Sequence, residues 1–223
     1  MRLAFRVVVD SRDKRTEFTP QFVKDAGAKG FMNKGKWSPY SDDPVFQKYY
    51  TKFVKALAKD FNDPSKVEFI DGFGLGKWGE YHTMIYSTGD DTPKKAVFDW
   101  VTDIYSQAFD KVPVVINYHR WIGAGKDWVD DEHFAADSEE MLEEAIKKGY
   151  SLRHDAFGMT TYYGSWSVGS QKKKYRNICP IIMEGGWIVK SHSYWQDPRG
   201  YRKDSHEDVS AVSLMTAKRH MSI

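Results

Sequence analysis

The sequence predicts an α/β fold in which parallel strands, joined by crossover helices, form a (β/α)8 barrel of the TIM type. Three observations favour this class. Strand-like and helix-like stretches alternate, the strands are nearly continuous in apolar residues, and polar residues gather just beyond the strands. In such a barrel the C-terminal ends of all strands open onto one face, where the active site lies. About six strands are visible, fewer than closure requires, so we expect an incomplete barrel.

The first half of the chain supplies two strand–helix units. "LAFRVVVD" reads as the first strand, and Asp43-Pro44 provides the N-cap and first-turn proline of a helix that ends near Phe61. "KVEFIDGFG" follows as the second strand, and Thr92-Pro93 begins the next helix.

The second half repeats this plan. After the strand "VPVVINYH", Asp137 and Glu140 are predicted to cap a helix that Gly149 ends. Further strands are predicted at "YSLRHDAFG" and "ICPIIMEGG". A helix near 205–218 and a C-terminal strand, "RHMSI", complete the plan.

No hairpin signal interrupts this alternation, which indicates parallel strands. An open doubly wound sheet is the competing architecture. It would be marked by a glycine fingerprint that opens a helix directly after a strand. The glycines of "GFGLG" are followed instead by Trp78-Gly79-Glu80, which is not a helix start, so the barrel is preferred.

Composition excludes several functional classes. The 223 residues are 41% hydrophobic, enough for the core of one domain over 1–223. The 33 basic and 31 acidic side chains leave a formal charge of +2, which predicts no nucleic-acid partner. The single cysteine, Cys179, excludes an intramolecular disulfide framework. No apolar run is long enough to span a bilayer, so we expect a soluble chain with no membrane partner.

Aromatic residues make up 15% of the chain, including eight Trp and 13 Tyr. Such residues are typical of sugar-binding sites, because their rings stack on the apolar faces of sugars while their polar atoms meet hydroxyls. This composition favours a carbohydrate substrate.

Glu80 and Glu184 are the candidate catalytic residues. Each follows an apolar strand and has glycine and tryptophan close by, in "KWGEYH" and "MEGGW", and about three strand–helix units separate them. Glycoside hydrolysis needs two carboxyl groups at one bond, about 5–5.5 Å apart for retention or roughly 6.5–9.5 Å for inversion. No cofactor is needed for this chemistry. Trp78, Tyr81 and Trp187 are expected to favour the protonated form of the acid.

Other polar and aromatic residues near the strand ends are candidate substrate ligands. The predicted set is Asp71, Trp78, His82, Asn117, Tyr118, His119, His154, Asp155, Trp187 and His192, with Trp121, Trp166 and Trp195 as further stacking platforms. For Asp71 and Asp155 a structural alternative is a buried ion pair with Arg6.

Two other functions stay open. One is a metal-dependent hydrolase that uses His82, His119, His154, Asp155 and His192, although no close metal-ligand spacing such as His-Glu-x-x-His is present. The other is a non-catalytic or degenerate carbohydrate-binding barrel, which places no requirement on the distance between Glu80 and Glu184.

The stretch from Asp42 to His82 resembles the bacterial glycoside-hydrolase-like barrels related to the family 42 beta-galactosidases. These carry a Gly-x-Trp-Gly-Glu-aromatic-His motif after the fourth strand, here Gly76 to His82. The resemblance extends over most of the chain. It implies strands three, five, six and seven at "LAFRVVV", "PVVIN", "SLRHDAFG" and "PIIMEGG", Glu80 as general acid/base, Glu184 as nucleophile, and hydrolysis of a poly- or oligosaccharide with retention.

Two departures from that family accompany the resemblance. Gly79 stands where related glycosidases have an asparagine that contacts the sugar. The first two strands are also missing, so we expect a missing segment or a second chain to complete the barrel. The family context implies polysaccharide degradation by a bacterial protein that is periplasmic or secreted at full length.

Overall fold

The structure is a computed structural model that describes residues 2–12, 16–117, 121–125, 137–157 and 178–185. For residues 154–157, 181 and 183–185 it describes the backbone alone. The chain divides into two compact units, Met1–Ser151 and Leu152–Ile223. That these units form the single domain predicted from the sequence stays a prediction.

The described elements follow one another in a strand–helix order interrupted by one hairpin. They are β1 (Leu3–Arg6), α1 (Gln21–Asp25), β2 (Gly30–Asn33), β3 (Lys36–Pro39), α2 (Pro44–Phe61), β4 (Val67–Asp71), a 3-10 turn (Lys77–Gly79), α3 (Lys94–Ala108), β5 (Val114–Asn117), α4 (Ser138–Lys147), β6 (Ser151–Phe157) and β7 (Ile181–Gly185).

A parallel sheet forms the centre of the first unit. β1 pairs with β4 in parallel, with Arg6 beside Asp71, and β4 pairs with β5 in parallel, with Asp71 beside Val115. In the second unit β6 and β7 also pair in parallel. The α/β class is therefore confirmed. Strands are confirmed at five of the predicted positions, which are those of β1, β4, β5, β6 and β7. Barrel closure stays a prediction, and the predicted elements at 205–218 and "RHMSI" lie outside the described residues.

The first predicted strand is shorter than expected. "LAFRVVVD" pairs only as far as Arg6, and Val7 to Asp10 then run beside the loop that follows β4. Val9 donates its backbone N–H to the Gly74 carbonyl at 3.2 Å. The extra β-branched residues thus cover a loop rather than extend the sheet.

Two amphipathic helices cover the sheet of the first unit. α2 begins as predicted, because the Asp43 carboxylate accepts a hydrogen bond from the Phe46 N–H at 2.8 Å and Pro44 occupies the first turn. α3 begins at Lys94, directly after the predicted Thr92-Pro93 start. The apolar faces of α2 and α3 meet at Tyr50 and Tyr105, whose hydroxyls lie 2.9 Å apart.

The predicted cap of α4 is wrong. Asp137 precedes the helix but makes no hydrogen bond that caps it. Its carboxylate instead lies 2.7 Å from the ammonium group of Lys94, at the start of α3. The carboxylate binds the largely buried Lys94 instead of a backbone N–H, because a charged donor makes a stronger hydrogen bond.

The expectation of no hairpin is also wrong. β2 and β3 form an antiparallel pair closed by Lys34 and Gly35, which have φ of 48° and 76°. Two consecutive residues with positive φ are typical of the tight hairpin turns that match strand twist. In the sequence this hairpin is marked only by Lys34-Gly35, which predicts a hairpin turn less strongly than Asn-Gly does. The surrounding segment has the composition of a loop. Among the described residues no helix is long and apolar enough to cross a membrane.

Candidate functional site

The loop after β4 has an unusual backbone. Trp78, Tyr81 and Thr83 have φ of 58°, 61° and 51°, a region that residues other than glycine rarely adopt. Gly74, Gly76 and Gly79 also have positive φ. For residues other than glycine, backbone strain of this kind costs about 1–3 kcal/mol each and persists only where the surroundings fix it. Such strain is found most often at functional sites.

The side chains of buried tyrosines hold this loop in place. Tyr50 donates its hydroxyl to the Phe73 carbonyl at 2.7 Å, and Tyr150 donates to the Gly72 carbonyl at 2.9 Å. The ring of Tyr81 stacks on Phe73, with centroids 4.5 Å apart and 6° between the planes. Burial raises the pKa of Tyr50, Tyr81 and Tyr150 well above the ordinary value of 10.0, so these hydroxyls stay protonated and act as donors.

Close packing explains Gly79, the residue before Glu80. Its φ is +76°, and a Cβ added there would lie 2.5 Å from the Val7 carbonyl oxygen. A side chain at this position would therefore clash with the segment after β1.

Glu80 directly follows the 3-10 turn of this loop and is 6% exposed. Its Oε1 accepts a hydrogen bond from Arg6 Nη1 at 2.8 Å, and Arg6 Nε donates to Asp71 Oδ2 at 3.0 Å. Because Arg6 and Asp71 are paired residues of neighbouring strands, their side chains share one face of the sheet. The C-terminal ends of β1 and β4 thus hold two carboxylates and one guanidinium in contact. An ion pair with Arg6, the structural alternative considered for Asp71, is therefore present.

His82 lies on the other side of Glu80 and is 1% exposed. Its Nε2 is 3.4 Å from Glu80 Oε2, and its Nδ1 is 2.8 Å from the Thr83 hydroxyl. The two ring nitrogens therefore bridge the carboxylate and the hydroxyl, in roles that depend on the tautomer. The Trp78 ring meets the His82 ring edge-on, with centroids 5.6 Å apart.

Trp78 is the exposed aromatic residue of this loop. It is 38% exposed, and the Lys77 ammonium lies 4.5 Å from its ring centroid. The exposed Trp78 ring thus contacts a lysine ammonium group as well as the His82 ring.

Asn117 ends β5 and is 2% exposed. Within the described part of the chain, neither its side-chain oxygen nor its nitrogen has a hydrogen-bond partner. Buried amides are normally satisfied, so this residue needs a separate explanation.

The structure brings together part of the predicted set. Asp71, Trp78, Glu80 and His82 lie in or beside one loop, while Trp121 is buried at 8% exposure. Of Glu184, His154 and Asp155 only the backbone is described, in β7 and β6. Tyr118, His119, Trp166, Trp187, His192 and Trp195 lie outside the described residues. No group of three His, Cys, Asp or Glu that could hold a metal occurs among the described residues, and the metal alternative stays untested for the others.

Sequence reasoning missed a second buried ion pair that supports this loop. Arg12 Nε donates to Asp10 Oδ2 at 2.7 Å, and Arg12 Nη2 donates to the Thr83 carbonyl at 2.5 Å. Arg12 is 8% exposed and Asp10 is 6% exposed. Opposite charges two positions apart in a loop read as surface residues. Asp10 and Arg12 differ from surface residues only in being buried, and their spacing in the sequence does not predict burial.

A separate cavity of about 420 Å³ lies near the opposite end of β5. Its walls include Phe109, Val114 and Tyr150, at the N-terminal side of the strand. It is therefore distinct from the group around Glu80. Comparison with protein-family models, curated proteins and solved structures gave no match to this chain.

Proposed function

We propose that the protein is a glycoside hydrolase of the (β/α)8 barrel type, in which Glu80 is one of two catalytic carboxyl groups. One observation carries the proposal: Glu80 is buried beyond the C-terminal end of a parallel strand, on a strained loop, in contact with Arg6 and beside the exposed Trp78. In barrel enzymes this is the position of catalytic residues.

Glu80 is proposed as the general acid/base. Two opposing effects act on its protonation. Burial disfavours the charged carboxylate, whereas Arg6 at 2.8 Å favours it. Arg6 also contacts Asp71, so its charge is shared between two carboxylates.

Glu184 is proposed as the nucleophile, on the grounds of its place at the C-terminal end of β7 and of the family resemblance. A retaining reaction requires its carboxyl group to lie about 5–5.5 Å from that of Glu80. The sugar would stack on Trp78 and meet the polar groups of Asp71, His82 and Asn117. The other ligands predicted from the sequence belong to the same proposal. No cofactor takes part.

A non-catalytic carbohydrate-binding protein is the second candidate. One observation favours it: Glu80 Oε1 contacts Arg6 and Oε2 faces His82, as in a structural ion-pair network. In that case the carboxylate holds the loop and transfers no proton.

Hydrolysis of a panel of aryl glycosides tests the proposal. We expect Glu80→Gln and Glu184→Gln each to lose at least about 100-fold in kcat. Glu68→Gln is the matched control, because Glu68 lies on β4 but is exposed and pairs with Arg2. It should retain wild-type turnover. Wild-type turnover in Glu80→Gln would refute the catalytic role of Glu80, and binding without hydrolysis by the wild type would support the second candidate.

A further inference from the structure

Asn117 lies on the same face of the sheet as the ion-paired residues. Asp71 pairs with Val115 in parallel register, and side chains alternate along a strand, so Asn117 shares the face of Val115 and Asp71. Arg6, the partner of Asp71 in β1, shares that face too. The C-terminal ends of three neighbouring strands therefore present Arg6, Asp71 and Asn117 together.

The side-chain amide of Asn117 is unsatisfied in the described structure. It is 2% exposed, and neither polar atom has a partner among the residues that the structure describes. The preceding residues of β5, Val114 to Ile116, are apolar and buried. A leucine of similar size would suit this position better if packing alone determined the residue, since a buried polar group without a partner is destabilising.

Asn62, in contrast, is an asparagine whose side-chain amide is hydrogen-bonded within the protein. Its Nδ2 donates to Asp110 Oδ1 at 2.5 Å, and its Oδ1 accepts from the backbone N–H groups of Lys111 and Val112 at 3.0 and 3.1 Å. Its donor and its acceptor are both used within the protein. This contrast indicates that the Asn117 amide binds a group of a ligand rather than a group of the protein.

The chemistry of that group follows from the amide. An asparagine offers N–H donors on one atom and a carbonyl acceptor on the other. Two adjacent sugar hydroxyls can satisfy both atoms at once, one by donating to the carbonyl oxygen and the other by accepting from the N–H. We propose that Asn117 binds a pair of adjacent hydroxyls of the sugar, as a specificity-determining residue. This inference rests on the proposed carbohydrate function and deepens it.

Binding and stability together test this role. The full chain is titrated calorimetrically with D-galactose, D-glucose, D-mannose and D-xylose, and its Tm is measured without sugar. We expect saturable binding of at least one sugar, and binding by Asn117→Leu that is at least about tenfold weaker. The Tm of Asn117→Leu should equal or exceed that of the wild type, because an unsatisfied amide has been removed. Asn62→Leu should show the reverse, with a lower Tm and unchanged sugar binding.

Single-deoxy analogues of the bound sugar identify the contact. Removal of either of two adjacent hydroxyls should weaken binding to the wild type but not to Asn117→Leu. Asn117→Ala serves as a second variant with no added bulk. A lower Tm in both variants would show that the amide is satisfied within the protein and would overturn the inference. So would unchanged binding, or no binding of any sugar in the panel.

The two proposals fail differently. If sugars bind through Asn117 but no aryl glycoside is cleaved, the hydrolase proposal fails and this inference stands. If aryl glycosides are cleaved and Asn117→Leu retains wild-type kcat and KM, this inference fails and the hydrolase proposal stands.

Discussion

Arg6 and Glu80 are 74 positions apart in the chain, yet their side chains meet at 2.8 Å. The contact joins the end of β1 to the loop after β4, and the same guanidinium contacts Asp71 at 3.0 Å. One cation thereby fixes two buried carboxylates at the C-terminal edge of the sheet. The position of Glu80 depends on this pairing as much as on the loop that carries it.

Removal of Arg6 is expected to destabilise the protein. In Arg6→Ala the buried carboxylates of Asp71 and Glu80 lose their shared counter-charge, which should lower the free energy of unfolding by about 3 kcal/mol. Urea denaturation measures the change. Arg2→Ala is the control, because Arg2 pairs with Glu68 at 2.6 Å with both side chains half exposed. That exposed pair should contribute less than about 1 kcal/mol. Equal effects of the two substitutions would contradict the structural role of Arg6.

Gly79 and Gly89 form a matched pair that separates backbone strain from steric contact. Their φ values are +76° and +78°, but an added Cβ would lie 2.5 Å from the Val7 carbonyl oxygen at Gly79 and would meet nothing within 4 Å at Gly89. Gly89→Ala should cost about 1 kcal/mol, from the positive φ alone.

Gly79→Ala should cost at least about 1 kcal/mol more than Gly89→Ala, because the Val7 segment must also move. It should also lower any hydrolytic activity, since Glu80 is the next residue. Thermal denaturation and aryl glycoside turnover give the two readouts. Indistinguishable stabilities for the two variants would show that Gly79 is not in close contact with Val7.

Because several tyrosines are buried, we expect the protein to lose stability at alkaline pH. Burial raises the folded-state pKa of Tyr50, Tyr81, Tyr86, Tyr105 and Tyr150 above the ordinary value of 10.0. Below pH 10.0 both the folded and the unfolded chain hold these protons, and the stability is fully present. Above it the unfolded chain releases them first, so stability falls as pH rises.

Absorbance at 295 nm and circular dichroism, recorded together from pH 9 to about 13, check this prediction. Ionisation of these tyrosines should coincide with loss of tertiary structure. Tyr50→Phe leaves the Phe73 carbonyl and the Tyr105 hydroxyl without its hydrogen bonds. It should lower the free energy of unfolding at neutral pH by about 1–2 kcal/mol and reduce its decline above pH 10. Ionisation of every tyrosine in the folded state would contradict the assignment.

Local patterns were sufficient to predict the parallel strands and the start of α2. Asp43-Pro44 is a cap followed by a first-turn proline, and its hydrogen bond to Phe46 needs no tertiary contact. The Asp137 cap had a comparable local signal. It failed because Lys94, distant in sequence, binds the same carboxylate.

In the candidate site, too, local sequence predicted some features and tertiary contacts decided the others. Placing Glu80 after β4 required only the strand pattern and the glycines. Its partners depend on which strands lie side by side, so Arg6 could be weighed as a partner of Asp71 but its contact with Glu80 was not expected. The unpaired amide of Asn117 is a property of the packed interior, and spacing along the chain does not reveal it.

Dependence on the leaving group tests the acid/base role of Glu80 most directly. The measurement is the ratio of kcat/KM for the wild type and Glu80→Gln, which reports the step that releases the leaving group, on an aryl glycoside series that runs from 2,4-dinitrophenolate to unsubstituted phenolate as leaving group. A general acid matters most when the departing oxygen needs a proton, so the loss should be small for the first and at least about 100-fold for the last. A loss that is the same for every leaving group, or no loss, would contradict the account.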